Sequence, residues 1–399
     1  MSSNTYEAAY IVSACRTAIG TFQGGLSSKS AVELGATVID EAIKRSGVDR
    51  EKIDEVIMGQ VVQAGAGQAP GRQAAIHGGV PATTPVMTIN KVCGSGLKAV
   101  MLAAQSIRSG DNRCVVAGGM ESMSNTPYVI HNAKAGLRFG HKKLEDAMIL
   151  DGLWDSFHNW HMGNAAEYTA EKANVSRERQ DEFAVNSHQK ANAAIKAGKF
   201  KAEIVGVAIP QRKGDPVVFD TDECPRADVA LEKLAKLKPA FVKEGGSVTA
   251  GNAPGLNDGA SALVVVSESF MKEHKLTPLA KVIDYATAGV EPKDLFFAPI
   301  YAVQKLMDKM SVTIDHFDLI EANEAFAVQA IADGDALGWD WDRVNVNGGA
   351  VALGHPIGAS GARVLTTLIY ALKDRGKKTG LATLCLGGGN AVALSVEAV

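Results

Sequence analysis

Two segments of the chain repeat one order of strands, turns and helix, and this repeat constrains the fold more than any other feature. The matching strand positions are Ile53–Gly59 with Phe317–Asn323, Val86–Asn90 with Val344–Gly348, and Arg113–Gly119 with Leu381–Gly388. The copies lie about 264 residues apart. Any two strand–helix–strand units look partly alike, so it is the shared order of glycine turns that favours a duplication. The repeat predicts two related α/β halves.

Helical segments alternate with these strands. Ala31–Ser46 has helical periodicity, ends in basic residues and is followed by Gly47. Ser95–Arg108 carries small and apolar residues on most of its faces, which predicts a buried helix, and Ala359–Leu372 is a further predicted helix. The alternation predicts a parallel sheet with helices on both faces. Two such halves packed face to face would bring their strand-to-helix turns to a shared site.

A stretch of different character, about Ser124 to Pro254, separates the two halves. It is richer in charge and in helix signals, with a predicted helix over Arg177–Lys199. From Lys190 to Lys243 there are eleven Lys and Arg against seven Asp and Glu, an excess of four positive charges. The stretch is either a solvated insertion or a cap over the active site whose cations bind a phosphorylated ligand.

Composition and charge argue against several classes of protein. The net charge of −3 gives no indication of nucleic-acid binding, and no apolar run is long enough for a transmembrane helix. The N-terminal segment lacks the pattern of a signal or transit peptide, and Glu397–Val399 is not a peroxisomal signal, so a cytoplasmic location is expected. Five scattered cysteines without a C-x-x-C pair argue against a disulfide framework, and the histidine spacing predicts no metal site.

Cys93 is the candidate nucleophile. It lies between a predicted strand and a predicted helix, in a turn that contains Gly94 and Gly96. A sulfur at a helix N-terminus is exposed to free N–H groups and the helix dipole, which favour a thiolate. The two glycines would allow a sharp turn and the approach of a substrate. A buried, inert cysteine is the alternative.

Three more residues in glycine-rich or strand-end positions complete a possible site. His355, in a turn before a helix, is suited to take and return a cysteine proton, unless it is a loop histidine without a role. Cys385 could move a proton at a substrate carbon, and the amide of Gly387 could bind a thioester oxygen; otherwise Cys385 is a small strand residue. Asn323 could hold a water or a carbonyl oxygen, or could be a helix N-cap.

Four motifs, in this order along the chain, resemble those of the thiolase family. They are the CGSG cysteine at Cys93, the NEAF asparagine at Asn323, the GHP histidine at His355 and the C-x-G-G-G cysteine at Cys385. Further matching segments are Gly118–Ser124, Trp160–Gly163 and Gly251–Ala260. The resemblance covers nearly the whole chain, and it is closest to the short-chain, biosynthetic type that transfers acetyl groups between acetyl-CoA molecules.

The resemblance implies a ping-pong reaction. His355 would activate Cys93, which takes an acetyl group from acetyl-CoA. Cys385 would take a proton from a second acetyl-CoA, whose carbanion attacks the acetyl-cysteine to give acetoacetyl-CoA. His355 and a water held by Asn323 would bind one thioester oxygen, and the amides of Cys93 and Gly387 the other. Coenzyme A thioesters are then the substrates, with no separate cofactor and no metal.

The resemblance also implies a fold and a domain division. The fold would be a five-layered α-β-α-β-α core made of two duplicated halves, with an inserted loop domain. Residues 1–123 would form the N-terminal half, to which 256–276 returns, residues 124–255 would be the loop domain that binds coenzyme A, and residues 277–399 would be the C-terminal half. Members of the family form homodimers, often paired into homotetramers, and neither nucleic acid nor a membrane is an expected partner.

The coenzyme A and acyl sites follow from the same resemblance. The residues expected there are His161, Met162, Arg226, Phe241, Ala250, Gly251, Ala325 and Phe326. Arg226 corresponds to an arginine near the adenosine phosphate, and the His161-Met162 pair narrows the acyl pocket of the short-chain type. Pro254 departs from the family, which often has a serine there that contacts pantetheine. Cys15 replaces a residue that is usually small and is interpreted as structural.

Three alternatives remain open from the sequence. A β-ketoacyl carrier-protein synthase has a similar fold but pairs its cysteine with two His, or with His and Asn, where this chain has Cys385. A degradative thiolase for longer 3-ketoacyl chains is disfavoured by His161. A non-catalytic coenzyme A-binding scaffold would not need Cys93, His355, Cys385 and Asn323 together.

Overall fold

A layer of two helices between two β-sheets forms the centre of the molecule. The computed structural model describes residues 6–399. Residues 1–5 lie outside the described residues; they belong to the expected N-terminal half and to the segment that is expected to lack a signal or transit peptide. The elements up to residue 123 are β1 (Ala9–Thr17), β2 (Gly20–Thr21), α1 (Ala31–Ser46), β3 (Glu55–Gly59), α2 (Pro70–His77), β4 (Val86–Ile89), α3 (Ser95–Ser109) and β5 (Cys114–Ser122).

The insertion consists of two longer helices and several very short strands. Its elements are β6 (Tyr128–Val129), β7 (Glu145–Asp146), β8 (Trp154–Asp155), β9 (Trp160–His161), α4 (Met162–Ala173), α5 (Arg177–Lys196), β10 (Ile204–Val205), β11 (Val207–Ile209), β12 (Val217–Phe219) and α6 (Leu231–Leu234). α5 ends three residues before the predicted end because Gly198 takes a left-handed conformation, with φ of 69°.

The rest of the chain completes the first half and forms the second. Its elements are β13 (Asn257–Ser267), α7 (Glu268–Glu273), β14 (Ala280–Gly289), α8 (Ala298–Met310), β15 (Leu319–Ala322), α9 (Ala327–Leu337), α10 (Ala350–Leu353), α11 (Ser360–Arg375), β16 (Thr379–Leu386) and β17 (Asn390–Ala398). Among residues 6–399, no helix has both the length and the apolar character needed to cross a bilayer.

The two sheets have the same strand order. The first runs β4-β3-β5-β13-β1 and the second β15-β16-β17-β14, and the two join where Ala9–Ile11 pairs with β14. Val344 forms only an isolated bridge with Ile320, at the place that corresponds to β4 in the first sheet. The predicted strand over Val344–Gly348 is therefore reduced to a single bridge, while the matching order agrees with a duplication.

Both sheets are mixed, so the prediction of parallel sheets is only partly right. β3 is parallel to β4 and β5, and β15 is parallel to β16, as strand–helix–strand units require. β13 pairs antiparallel with both β1 and β5, and β17 pairs antiparallel with β16 across the short turn Gly387–Gly389. The antiparallel pairing arises because the chain reverses direction between neighbouring strands, and the alternation of strand and helix signals in the sequence does not predict such reversals.

The sheets and helices stack in five layers, as the family resemblance implies. α1 and α2 cover the outer face of the first sheet, and α8 covers the second. α3 and α11 fill the space between the sheets, where the largest apolar cluster lies. A Cβ on Gly361 would lie 2.3 Å from the backbone nitrogen of Leu97, and one on Gly96 would lie 2.6 Å from that of Ala362. Only glycine therefore permits the close approach of these two helices at their N-terminal ends.

This contact corrects the interpretation of Gly96, which permits helix packing and not substrate approach. It also positions the site, because the turns that precede α3 and α11 meet where the helices touch. The cysteine turn of one half and the histidine turn of the other thus lie side by side, and both helix N-termini point at the same space.

Buried ion pairs tie the insertion to the core. The guanidinium of Arg16 on β1 donates to Glu203 at 2.5 Å and to Asp222 at 2.7 and 2.9 Å, and all three side chains are buried. β10 adds two residues to β1 beside this network. Because a buried charge without its partner costs several kcal/mol, about 3–5 in measured cases, this network fixes the insertion against the first sheet.

Candidate active site

A strained turn presents Cys93. Val92 has φ of 46°, a left-handed conformation that a β-branched residue rarely adopts. The hydroxyl of Ser95 accepts from the N–H of Lys91 at 2.8 Å and donates to the carbonyl of Val92 at 2.7 Å. Asn90 accepts from the N–H of Val92 at 2.9 Å. These bonds hold the strained turn, as is typical of functional sites.

The sulfur of Cys93 is a thiol at rest, which corrects the expectation of a thiolate. Desolvation raises the pKa of Cys93 to about 12, although hydrogen bonds from the backbone N–H groups of Cys93 and Gly387 lower it. The chemistry therefore needs a base that takes the proton as the sulfur attacks. The same two N–H groups contact the sulfur, so they are available to stabilise an oxyanion on an acyl group that it attacks.

His355 is held as a neutral base by its surroundings. The backbone N–H of His355 donates to the side-chain oxygen of Asn257 at 2.8 Å, and its ring Nδ1 lies 2.6 Å from the hydroxyl of Ser360. That hydroxyl donates to the carbonyl of Pro356, so its oxygen accepts the proton of Nδ1 and leaves Nε2 bare. Burial lowers the pKa of His355 to about 3, with a further lowering by the charge of Arg363.

Asn323 lies beside the imidazole. Its Nδ2 is 3.4 Å from Nε2 of His355, and its Oδ1 has no hydrogen-bond partner within residues 6–399 although the side chain is buried. The alternative of a helix N-cap is wrong, since α9 begins at Ala327 after Phe326. The free oxygen suits a bound water, because buried amide oxygens are rarely left without a partner.

Cys385, the residue before the end of β16, lies on the other side of this space. It is buried, and burial raises the pKa of its thiol well above the usual value, with a further rise from the neighbouring Cys93. Gly387 lies in the turn that follows, outside the strand ladder, so its N–H is free to point at the sulfur of Cys93. The site therefore contains two neutral thiols and one neutral imidazole.

Cys93, His355 and Cys385 share one cavity of about 300 Å³, and Asn323 contacts His355 from outside the cavity wall. Among the predicted site residues, its wall contains Cys93, His161, Met162, Phe241, Ala325, Phe326, His355, Cys385 and Gly387. Most of the remaining wall is apolar, as is usual for a site that excludes water. Pro254, the departure from the family pattern, also lines the cavity, so no serine hydroxyl is available there.

His161 and Phe241 form one part of the wall. Their rings stack with centroids 4.9 Å apart, and Nδ1 of His161 accepts from the N–H of Gly163 at 3.0 Å. A Cβ on Gly163 would lie 2.2 Å from the ring of Phe241, so the glycine makes room for the stack. Burial lowers the pKa of His161, which favours its neutral form.

Three of the predicted coenzyme A residues lie together outside the cavity wall. Arg226 is exposed, and its guanidinium donates to the carbonyl of Ala250 at 3.3 Å, beside Gly251. The backbone N–H of Arg226 donates to His188 at 3.1 Å. Ala250 is exposed as well, while Gly251 is buried. The role of Arg226 at the adenosine phosphate, and of Ala250 and Gly251 at coenzyme A, stays a prediction.

Several residues that support the site were missed by sequence reasoning. Glu324 is buried and accepts from Ser187 at 2.7 Å, from Asn345 at 2.8 Å and from the N–H of Val351 at 3.0 Å, which fixes the turn after Asn323. Glu121, also buried, accepts from the N–H of Gly358 at 2.9 Å and so holds the turn after His355. The signal for Glu324 was its place in the NEAF motif.

Family comparisons agree with this arrangement. The thiolase N-terminal domain model matches residues 9–269 and the thiolase C-terminal domain model matches residues 276–398. The chain belongs to the thiolase family. The division of this thiolase at residues 123, 255 and 276 stays a prediction, since the family models draw one boundary between 269 and 276.

Named relatives are similar over nearly the full length of this thiolase. An acetyl-CoA acetyltransferase of Pseudomonas aeruginosa is 56% identical, and one of Cupriavidus necator 57%, each covering 97% of this chain and 98% of the relative. The crystal structure of the Bacillus anthracis acetyl-CoA acetyltransferase is 45% identical, with a TM-score of 0.97 and full coverage of both chains. This likeness confirms the thiolase fold.

Proposed function

We propose that this thiolase condenses two molecules of acetyl-CoA to acetoacetyl-CoA and coenzyme A, and catalyses the reverse thiolysis. The observation that carries the proposal is the meeting of Cys93, His355 and Cys385 on one cavity wall, with the Gly387 amide at the nucleophilic sulfur. The names of the full-length relatives support the substrate assignment.

In the first half-reaction, Nε2 of His355 takes the proton of Cys93 as the sulfur attacks the acetyl carbonyl. The N–H groups of Cys93 and Gly387 stabilise the oxyanion, which collapses to acetyl-cysteine. The leaving sulfur of coenzyme A takes the proton of Cys385. The half-reaction ends with acetyl-Cys93, a His355 imidazolium and a Cys385 thiolate, so every proton is accounted for.

In the second half-reaction, the thiolate of Cys385 takes a proton from the methyl group of the second acetyl-CoA. The imidazolium of His355 and a water held by Asn323 stabilise the enolate oxygen. The carbanion attacks acetyl-Cys93, and the departing Cys93 sulfur recovers its proton from His355. The three groups return to the neutral forms that burial favours in the resting site.

Acetyl transfer to Cys93 is expected to be nearly independent of pH between 5 and 8. His355, with its pKa near 3, stays a neutral base in this range, and Cys93, with its pKa near 12, stays protonated. Activity should be lost only as the pH falls towards 3, where His355 gains a proton. The measurement is the burst of coenzyme A released from acetyl-CoA at each pH, with circular dichroism as the control for folding. A tenfold fall between pH 7.5 and 5.5 would contradict this assignment.

We further propose that copies of the chain associate as a dimer or a dimer of dimers. The support is a group of exposed apolar side chains in the insertion: Tyr128, Leu137, Phe139 and Leu144. Exposed apolar groups of this kind are typical of protein–protein contacts. Sedimentation velocity of the full chain distinguishes a monomer from either assembly. No cofactor besides the coenzyme A substrates is proposed, and a cytoplasmic location stays a prediction.

A further inference from the structure

The cavity has an open end and a closed end. At the open end, Ile149 is 40% exposed, and Leu153 is half-buried in the apolar cluster that contacts Cys93. At the closed end, Leu295 and Phe296 are 1% and 2% exposed and pack in the same cluster as Cys385. A thioester that enters from the first end directs its acyl chain at the second.

The short helical segment Pro292–Phe297, which the sequence analysis did not assign to the site, forms this closed end. Its position is fixed by the turn after Cys385, since the N–H of Val290 donates to the carbonyl of Gly389 at 2.7 Å. A Cβ on Gly389 would lie 2.5 Å from the carbonyl oxygen of Val290, so the two loops are in backbone contact. The segment cannot retreat without moving the turn that contains Gly387.

Phe296 is the largest side chain that this segment contributes to the wall. Its ring meets that of Phe326 edge to face, with centroids 5.3 Å apart and an angle of 67° between the planes. The backbone of Phe326 is held at the start of α9, of which it is the N-cap residue. Aromatic pairs prefer this edge-to-face geometry, so each ring favours the observed position of the other.

We propose that Phe296, backed by Phe326, sets the upper limit on the length of the acyl chain that this thiolase accepts. The inference rests on the proposed function and narrows its substrates to acetyl and acetoacetyl thioesters. An apolar wall cannot reject a longer alkyl chain by polarity, so the limit must come from filled space. The ring of Phe296 fills the space that further methylene groups of the chain would need.

The test is the thiolysis of acetoacetyl-CoA and 3-ketohexanoyl-CoA by the Phe296→Ala variant. Removal of the ring should raise the ratio of kcat/KM for the six-carbon substrate to that for the four-carbon substrate by about tenfold or more. Phe297→Ala is the matched control, because it removes the same ring from the next residue. Phe297 does not line the cavity. The ammonium of Lys172 lies over its ring instead, 5.2 Å from the ring centroid. Its ratio should equal that of the unchanged enzyme.

The outcomes separate this inference from the proposed function. If the unchanged enzyme cleaves acetoacetyl-CoA but the ratio in Phe296→Ala stays within twofold of its value, Phe296 does not limit chain length and only this inference is wrong. If the unchanged enzyme prefers the six-carbon substrate, the proposed function is wrong. If the alanine variant does not fold, Phe296→Leu decides the question, because leucine keeps most of the apolar packing. The ratio of kcat/KM for the six-carbon to the four-carbon substrate must then rise in Phe296→Leu.

Discussion

The Cys93→Ala variant is expected to form no acetyl-enzyme and to lose acetyl transfer by a factor on the order of 10⁴ or more, as for other covalent nucleophiles. The strained turn aims this sulfur into the cavity, and the amides of Cys93 and Gly387 converge on it. Alanine keeps the backbone and both amides but has no atom that can accept the acetyl group. The measurement is the stoichiometry of label retained by the protein after incubation with radiolabelled acetyl-CoA.

Cys114→Ala is the matched control for this experiment. It deletes the same thiol from a buried position in β5, outside the cavity wall, so labelling and turnover should stay within about twofold of the unchanged enzyme. Retention of covalent label by Cys93→Ala would mean that another group is the nucleophile. Unchanged activity of Cys93→Ala would favour the alternative that Cys93 is an inert cysteine, with the chemistry elsewhere.

Local signals account for the elements that the sequence predicted best. The bounds predicted for α1 are confirmed, because Ser30 and Glu33 form a reciprocal capping box at its start and Gly47 takes a left-handed conformation at its end. The strands β13, β14 and β17 had no such local signal. Their antiparallel pairing depends on chain reversals and on neighbours that are distant in sequence.

The same distinction separates the site residues that were found from those that were missed. Cys93, His355 and Cys385 each stand in a glycine-containing motif, so their local sequence indicated chemistry. Asn257 holds the backbone of His355 from 98 residues away, and Glu121 binds Gly358 from 237 residues away. Such contacts exist only after the two halves pack. Phe296 was missed for the same reason, because only the fold brings its segment behind Cys385.

Burial also reversed one expectation about charge. A helix N-terminus predicts a resting thiolate at Cys93, but loss of solvation outweighs the hydrogen bonds to its sulfur. Neutral thiols at both cysteines have a functional consequence. A thiolate is the reactive form of cysteine, so a resting thiolate could react with other compounds before the substrate binds, whereas a thiol does not. Because His355 takes the proton only as the sulfur attacks, Cys93 becomes a thiolate only when a substrate is bound.

The second large effect is expected from Cys385→Ala, which should separate the two half-reactions. Acetyl-Cys93 should still form, at about one label per chain, because the sulfur of coenzyme A leaves readily as a thiolate at neutral pH. Condensation should fall by a factor of about 10³–10⁴, because no base remains for the methyl proton of the second acetyl-CoA. The measurements are label stoichiometry after a single exposure to acetyl-CoA, and acetoacetyl-CoA formation at steady state.

The split between these two readouts is what tests the assignment of Cys385. A merely structural thiol in β16 would, on removal, lower both half-reactions together, since it packs with Leu295, Phe296 and Ala325 against one side of the cavity. A base that is indispensable only in the second half-reaction lowers condensation far more than labelling, because coenzyme A can leave as a thiolate in the first, and the acetyl-enzyme accumulates. Equal losses in labelling and condensation would therefore remove Cys385 from the chemistry, while an intact acetyl-enzyme that cannot condense requires a proton acceptor at this sulfur.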